Sequence, residues 1–480
     1  MSKHFPITLV VAVLLSCVAP QIVRAEVADS TIEMFVKDAL RDDSQVDASE
    51  LTVTTKDGIV TLSGSVTSLA AKQYTVLEAK KINGVLGVID RIAVLPTYRL
   101  DTDIANSVRR RILNSVVINS QDIKVACKDG VVTLTGAVDS YVEEQQAGLL
   151  ASEVQGVKEV KNNIITNWSS TRTDQELKGD AVAALERDVY FAGLPITVSV
   201  KDGVITLSGS VGNAYEPNRA YSDVRWIPGV KSVENDLTVK WYENHGVRKQ
   251  KTVPSDSDLK ATVRKALDYD SRLNAADITL RVSFGHVTLD GFVYSHYEQN
   301  IAVQDTKNVV GVAWVTNNLF ARVDKRADWE IAGDIDFNLD TDALTEGFNL
   351  VVTVKDGIAT LSGNVHTWYE RSHAYDVASR VRGVKRVINT ITVSTDEWKK
   401  NVELVKTIKG RLKSNWTTWW VSNKINVTVE DGVATLEGDV NSWKQRLKAD
   451  DIAQHTAGIS GVDNRISVKG VEYPWDEYHF

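Results

Sequence analysis

Ile196-Thr197-Val198-Ser199-Val200-Lys201-Asp202-Gly203-Val204-Ile205-Thr206-Leu207-Ser208-Gly209-Ser210-Val211 decides the fold of this chain. Apolar residues alternate on both sides of Asp202-Gly203, the pattern of two half-buried strands. Asp-Gly tolerates the positive φ of a two-residue type I′ turn, so the stretch predicts a β-hairpin. The turn recurs as Lys56-Asp57-Gly58, Lys128-Asp129-Gly130, Lys355-Asp356-Gly357 and Glu430-Asp431-Gly432, with Phe284-Gly285 in its place once. Six residues after each of these glycines stands another: Gly64, Gly136, Gly209, Gly291, Gly363 and Gly438. Twenty residues further comes Gly84, Gly156, Gly229, Gly311, Gly383 or Gly458, followed by Val or Ile. The chain is therefore six copies of one unit.

Upstream of each hairpin, apolar residues recur every four positions, as in Ile32/Val36/Leu40 and Leu404/Ile408/Leu412, which makes one stripe on a helix. Three residues before each stripe stands Asp29, Asp101, Asp174, Asp256, Asp328 or Asn401, read as the helix N-cap. The glycine of the second strand lies on the core face, where it is expected to admit the following helix, rich in pairs such as Ala147/Ala151 and Ala449/Ala453. Gly-Val-x-x-Val-x-Asn, as at Gly156–Asn162, then opens a third strand, paired parallel to the second.

Together these motifs resemble the BON domain family, named for bacterial OsmY and nodulation proteins. The resemblance implies an α+β fold: a tandem array of six α-β-β-α-β modules, each with two helices on a three-stranded mixed sheet. The modules are placed at 29–95, 101–166, 174–240, 256–321, 328–394 and 396–470, with a 241–255 linker and a 471–480 tail. That linker, holding Arg248, Lys249, Lys251 and Pro254, is expected to be a looser joint between two sets of three modules. The resemblance also implies an exported envelope protein with no catalytic residues, tied to osmotic stress and to phospholipid surfaces.

The N-terminus has the form of a secretory signal over residues 1–25. Lys3 precedes the apolar run Ile7–Leu15, and Val23-Arg24-Ala25 offers cleavage after Ala25, which predicts a periplasmic protein. The alternative is a lipoprotein acylated on Cys17, from Leu14-Leu15-Ser16-Cys17. No later run is long enough to span a bilayer. The net charge of −8 becomes −10 when Lys3 and Arg24 leave, which argues against nucleic acid. Cys127, the one cysteine beyond the signal, is read as a small buried residue and excludes disulfide and thiolate-metal scaffolds.

Catalytic and metal motifs are not found, and no cofactor is expected. Asp334-x-Asp336-x-Asn338-x-Asp340 mimics the start of a calcium loop but has Leu339 where the turn needs glycine, so it reads as a solvated acidic helix face. His366 and His373 flank one helix start and are read as surface residues. Aromatic residues recur where second helices begin (Tyr141, Tyr215, Tyr297, Trp368, Tyr369, Trp443) and are expected to anchor them.

Module six departs most in charge. Trp398–Trp420 carries Lys399, Lys400, Lys406, Lys409, Arg411 and Lys413 against Glu403, a net +5. Lys399, Lys406 and Lys413 form a stripe, and Trp416, Trp419 and Trp420 follow it. Basic side chains beside tryptophans suit an anionic membrane interface, so these six residues are the candidate lipid-contact edge. The competing reading is tryptophans packed over the sheet end and lysines that only solvate the helix. Asp328–Glu346 of module five carries seven acids and no Lys or Arg, so self-association through modules five and six is an alternative use of the charge. The expected function is non-enzymatic binding of membrane phospholipid or envelope proteins; the alternative is a structural or holdase-like array that engages polypeptides.

Overall fold

The computed structural model describes residues 27–43, 47–118, 122–167, 172–188, 191, 194–240, 254–309, 311–312, 314–323, 325–393, 401–441 and 443–468. The expected signal segment, the 241–253 part of the linker and the 471–480 tail lie outside these residues.

Module one runs α1 (Asp29–Arg41), β1 (Leu51–Lys56), β2 (Ile59–Val66), α2 (Leu69–Lys80) and β3 (Gly87–Val94). β2 is the central strand, antiparallel to β1 and parallel to β3. The other five modules repeat the order; in module five the sheet is interrupted at Gly363. Each module closes its own core. In module two, Ile104, Val108 and Ile112 of the first helix and Ala147 and Ala151 of the second cover Val132 and Leu134 of the sheet. Burying such branched side chains is worth about 1.5–3 kcal/mol each, yet a module of this size keeps only roughly 3–5 kcal/mol net.

The turn has the predicted geometry, with Asp202 at φ 51° and Gly203 at φ 77°. Two local expectations are corrected. Asp29, Asp101, Asp174, Asp256 and Asp328 are the first helical residues and do not cap their helices. Each carboxylate instead accepts the two backbone N–H groups of its own hairpin turn; Asp101 accepts from Asp129 at 2.8 Å and Gly130 at 2.9 Å. A side-chain cap does form on four second helices, through Ser68, Ser140, Ser295 and Thr367. The strand glycine does not make room for the helix. Gly136 has φ 124°, and a Cβ there would lie 2.2 Å from the Asp122 carbonyl oxygen, at the head of the neighbouring strand. The recurring asparagine of the third strand ties sheet to helix: Asn162 Nδ2 donates to the Glu144 carbonyl at 2.8 Å.

The modules do not hang apart. Modules one and six pair through short antiparallel bridges, Asp43 with Thr456 and Ile82 with Asn415. Modules two and five pair through the equivalent residues, Ser115 with Val381 and Val154 with Asp342. Modules three and four meet likewise where Ser271 N–H donates to the Trp226 carbonyl at 2.8 Å. Each bridge joins the end of one module's first helix to the end of its partner's second, and the reverse, which is an isologous contact.

A second kind of contact carries each second-helix start onto a neighbour. Leu69 of module one packs on the core of module two. The Tyr141 hydroxyl of module two bonds Tyr221 of module three. Ala214 N–H of module three donates to Val85 of module one. Similarly His296 N–H of module four donates to the Val384 carbonyl of module five, Tyr369 of module five meets His455 of module six edge to face, and the second helices of modules six and four pack together. Two rings of three, joined by three two-fold pairs, have the contact pattern of a 32-symmetric hexamer. The expected looser joint between two sets of three is thus corrected: the halves are stitched together at all three pairs.

Candidate functional site

The first helix of module six, Asn401–Ser414, turns Leu404, Ile408 and Leu412 into the core, so Lys406 and Lys413 fall on its opposite, exposed face. Trp420 lies just beyond it, 53% exposed, its Nε1 donating to the Thr417 carbonyl at 3.3 Å. Trp419 is half-buried. Trp416 is removed from the candidate edge: it is buried, its ring 5.9 Å from that of Tyr215 in module three and its backbone N–H on the Lys81 carbonyl of module one. Lys399 lies outside the described residues. The structure therefore leaves Lys406, Lys413 and Trp420 each exposed and turns Trp416 into a joint between modules.

Arg411 also belongs to a joint rather than to the basic face. It is buried, paired with Asp43 of module one, and donates to the carbonyls of Asp42 at 3.3 Å and His455 at 2.7 Å. Arg111 fills the equivalent place in the two–five joint, 3.1 Å from Asp342 and bonded to the Asn338 carbonyl. Burial alone would raise the Asp342 carboxyl, but His373 and Arg111 outweigh it and hold it well below the usual range. His373, at 2.9 Å from Asp342, is correspondingly raised despite its burial. His366 instead sets its ring edge-on to Phe348. His373 is a structural ion-pair partner, not a surface residue.

The acidic helix of module five is likewise partly spoken for. Asp334 is buried and pairs with Arg110 of module two at 3.2 Å and with Arg326 at 2.8 Å; Asp336 and Asp340 stay exposed. No cluster of three metal-ligating side chains occurs among the described residues. Cys127 is half-buried, its thiol pushed up to about 11, first by burial and then by Asp101 beside it. Tyr141, Tyr215 and Tyr369 reach neighbouring modules, whereas Tyr297 packs on its own module's core and Trp368 lies under Arg371 of its own helix. Between modules one to five lies a cleft of about 1120 Å³, lined among others by Gln145, Tyr297, Asn300 and Tyr375.

The joints are the main element missed in the sequence. A small polar residue stands three positions after the last stripe residue of every first helix: Asp43, Ser115, Asp188, Asp270, Asp342 and Asn415, all buried. A polar residue kept at one register in six copies, where solvent exposure would not demand it, was the available signal.

This repeated αββαβ module defines a small α+β domain. The BON domain model matches residues 28–96, 100–167, 173–240, 255–321, 327–395 and 401–470, and the chain belongs to the BON domain family. It is similar to osmotically-inducible protein Y of Escherichia coli (strain K12), 36% identical over 145 residues, which cover 29% of this chain and 72% of that protein. It is also similar to the outer membrane lipoprotein DolP of Haemophilus influenzae, 26% identical over 147 residues, 29% of this chain and 76% of that one. Among solved structures, CdsD, a structural protein of the type III secretion system of Chlamydia trachomatis, aligns at 16% identity over 40% of this chain and 86% of that one. The TM-score of that alignment is 0.12. No described helix is long and apolar enough to cross a membrane.

Proposed function

We propose that this chain is a non-enzymatic, exported envelope protein that binds anionic phospholipid surfaces through module six, in the service of osmotic or envelope stress. The carrying observation is that Lys406 and Lys413 are exposed on the first helix of module six and that Trp420, just past that helix in sequence, is exposed too. Cations near an anionic bilayer contribute about 1 kcal/mol each, and an indole at the interface adds an anchor. The two relatives, an osmotically-inducible protein and an outer membrane lipoprotein, support the setting. Flotation of the mature chain with phosphatidylglycerol vesicles tests it. Binding should weaken with salt and be lost in Lys406→Glu combined with Trp420→Ala; binding untouched by both changes refutes the reading.

One observation favours the polypeptide-binding alternative. The outer sheet face of module four exposes Trp314, Phe292 and Phe320, the two phenylalanines paired across strands at 6.3 Å. A holdase would suppress aggregation of unfolded clients without vesicles and lose this in Phe292→Ser with Phe320→Ser. Self-association through modules five and six would rest on Asp336 and Asp340 against Lys406 and Lys413, and predicts salt-sensitive oligomers without vesicles.

A further inference from the structure

The three joints share a backbone plan and differ in the side chains that fill them. Arg111 and Arg411 each occupy the middle of a joint, and Ala184 and Ala266 stand at that register in the third. A second register separates the joints differently. Four residues before the glycine that opens each third strand, the joint of modules one and six carries Lys80 and Gln454, and that of modules three and four carries Arg225 and Lys307. The joint of modules two and five carries Ser152 and Ser379. Both hydroxyls turn back onto their own helices, bonding the Leu149 and Asp376 carbonyls at 2.8 Å. Both serines line the cleft of about 1120 Å³, whereas pockets beside the other two joints measure about 260 and 360 Å³. The short side chains leave this joint hollow, at a size that ligand sites use.

The groups that open onto the cleft are mostly neutral. Gln73, Gln304, Asn317 and Ser372 are among its walls, and all four are exposed. Each amide offers both a donor and an acceptor, as does the hydroxyl. The ionic groups of the wall largely answer one another: four cations stand against three carboxylates, Arg380 is held by Glu153 at 2.7 Å, and Arg272 by Asp270 at 2.9 Å. Half-buried Tyr297 and Tyr375 add aromatic surface. An ionic ligand finds little spare countercharge here, and an apolar one would cover the amides without pairing them. A sugar suits both kinds of wall, because its hydroxyls pair in either sense and its C–H faces lie flat on rings.

We propose that the hollow beside the joint of modules two and five is a binding site for a short, neutral oligosaccharide, hydrogen-bonded by Gln73, Gln304, Asn317 and Ser372. The inference goes beyond lipid binding and uses none of the same residues. Walls drawn from five modules suit a soluble chain that enters the cleft rather than a polymer that lies along an open face.

Calorimetric titration of the full mature chain with maltotetraose, cellotetraose and chitotetraose tests this. At least one should bind with an affinity that salt does not change, and its monosaccharide should bind about tenfold more weakly or not at all. Ser372→Trp fills the cleft from an exposed position, so it should keep the thermal transition and abolish binding. Gln304→Leu, also at an exposed position, should weaken binding about tenfold, and it decides the matter should Ser372→Trp fail to fold. Absence of heat with all three sugars, salt-sensitive binding, or unchanged binding in a folded Ser372→Trp or in Gln304→Leu would overturn the inference. Retention on insoluble cellulose or chitin that survives Ser372→Trp would overturn it too, by moving sugar recognition to an open face.

Discussion

Arg111 of module two reaches Asp342 of module five across 231 residues of chain, at 3.1 Å, with both side chains 1% exposed. Removing one member of such a pair strands a buried charge, which costs about 3–5 kcal/mol. Arg111→Ala should therefore lower the chemical-denaturation stability by about that amount. Arg111→Met with Asp342→Leu should recover most of the loss, measured by urea unfolding of the double-mutant cycle.

The closed contact pattern predicts a compact particle. A globular chain of about 450 residues has a radius of gyration of about 22–23 Å, far below that of six beads on linkers. Small-angle X-ray scattering of the mature protein should give the compact value, and calorimetric melting should be a single transition. A markedly larger radius would show that the pairs come apart in solution.

The His373–Asp342 contact fixes the direction of pH dependence. Because the His373 value is raised in the fold, its stabilisation is complete below the unfolded value of about 6.5. That stabilisation is lost as pH rises through the folded value. Because Asp342 is lowered, its share is present above about 3.9 and lost as pH falls through its folded value. Stability should therefore be greatest on the acidic side of neutrality and decline above it. Thermal melts across that range check this, and His373→Gln should flatten the alkaline decline.

Gly136 is required by its backbone, not by helix packing. Alanine there meets both φ 124° and the Asp122 carbonyl at 2.2 Å. Gly136→Ala should cost about 2–4 kcal/mol, whereas Gly179→Ala, in the first helix of module three with nothing within 4 Å, should be neutral or stabilising. Circular-dichroism melts of the two variants separate the cases.

The Asp101 carboxylate, held low by the N–H groups of Gly130 and Asp129, should titrate below the usual carboxylate range in a carbon-detected NMR titration. Asp101→Ala should speed amide exchange at Gly130 more than at residues of the strand interior.

What the sequence disclosed and what it hid follow from the range of each interaction. Cores and hairpins were legible because Ile104/Val108/Ile112 and the alternation around Asp202-Gly203 are local periodicities that repeat six times. The role of Asp101 was misplaced because its partners are 28 and 29 residues away, and spacing alone cannot tell a helix cap from a turn clamp. Trp416 and Arg411 looked like surface chemistry because tryptophan and arginine suit a bilayer interface and a protein interface alike. The packing of module six on modules one and three separates them from Lys406, Lys413 and Trp420. The joint residues followed no apolar period, so a search by hydrophobic pattern passed over them.

Linking six like units in one polypeptide frees the assembly from a constraint on true oligomers, in which every substitution appears in all subunits at once. Here an arginine can enter two junctions while alanines stand in the third, and one unit alone can acquire a basic flank. The concatenated chain keeps the geometry of a hexamer and gives each of its positions a separate evolutionary history.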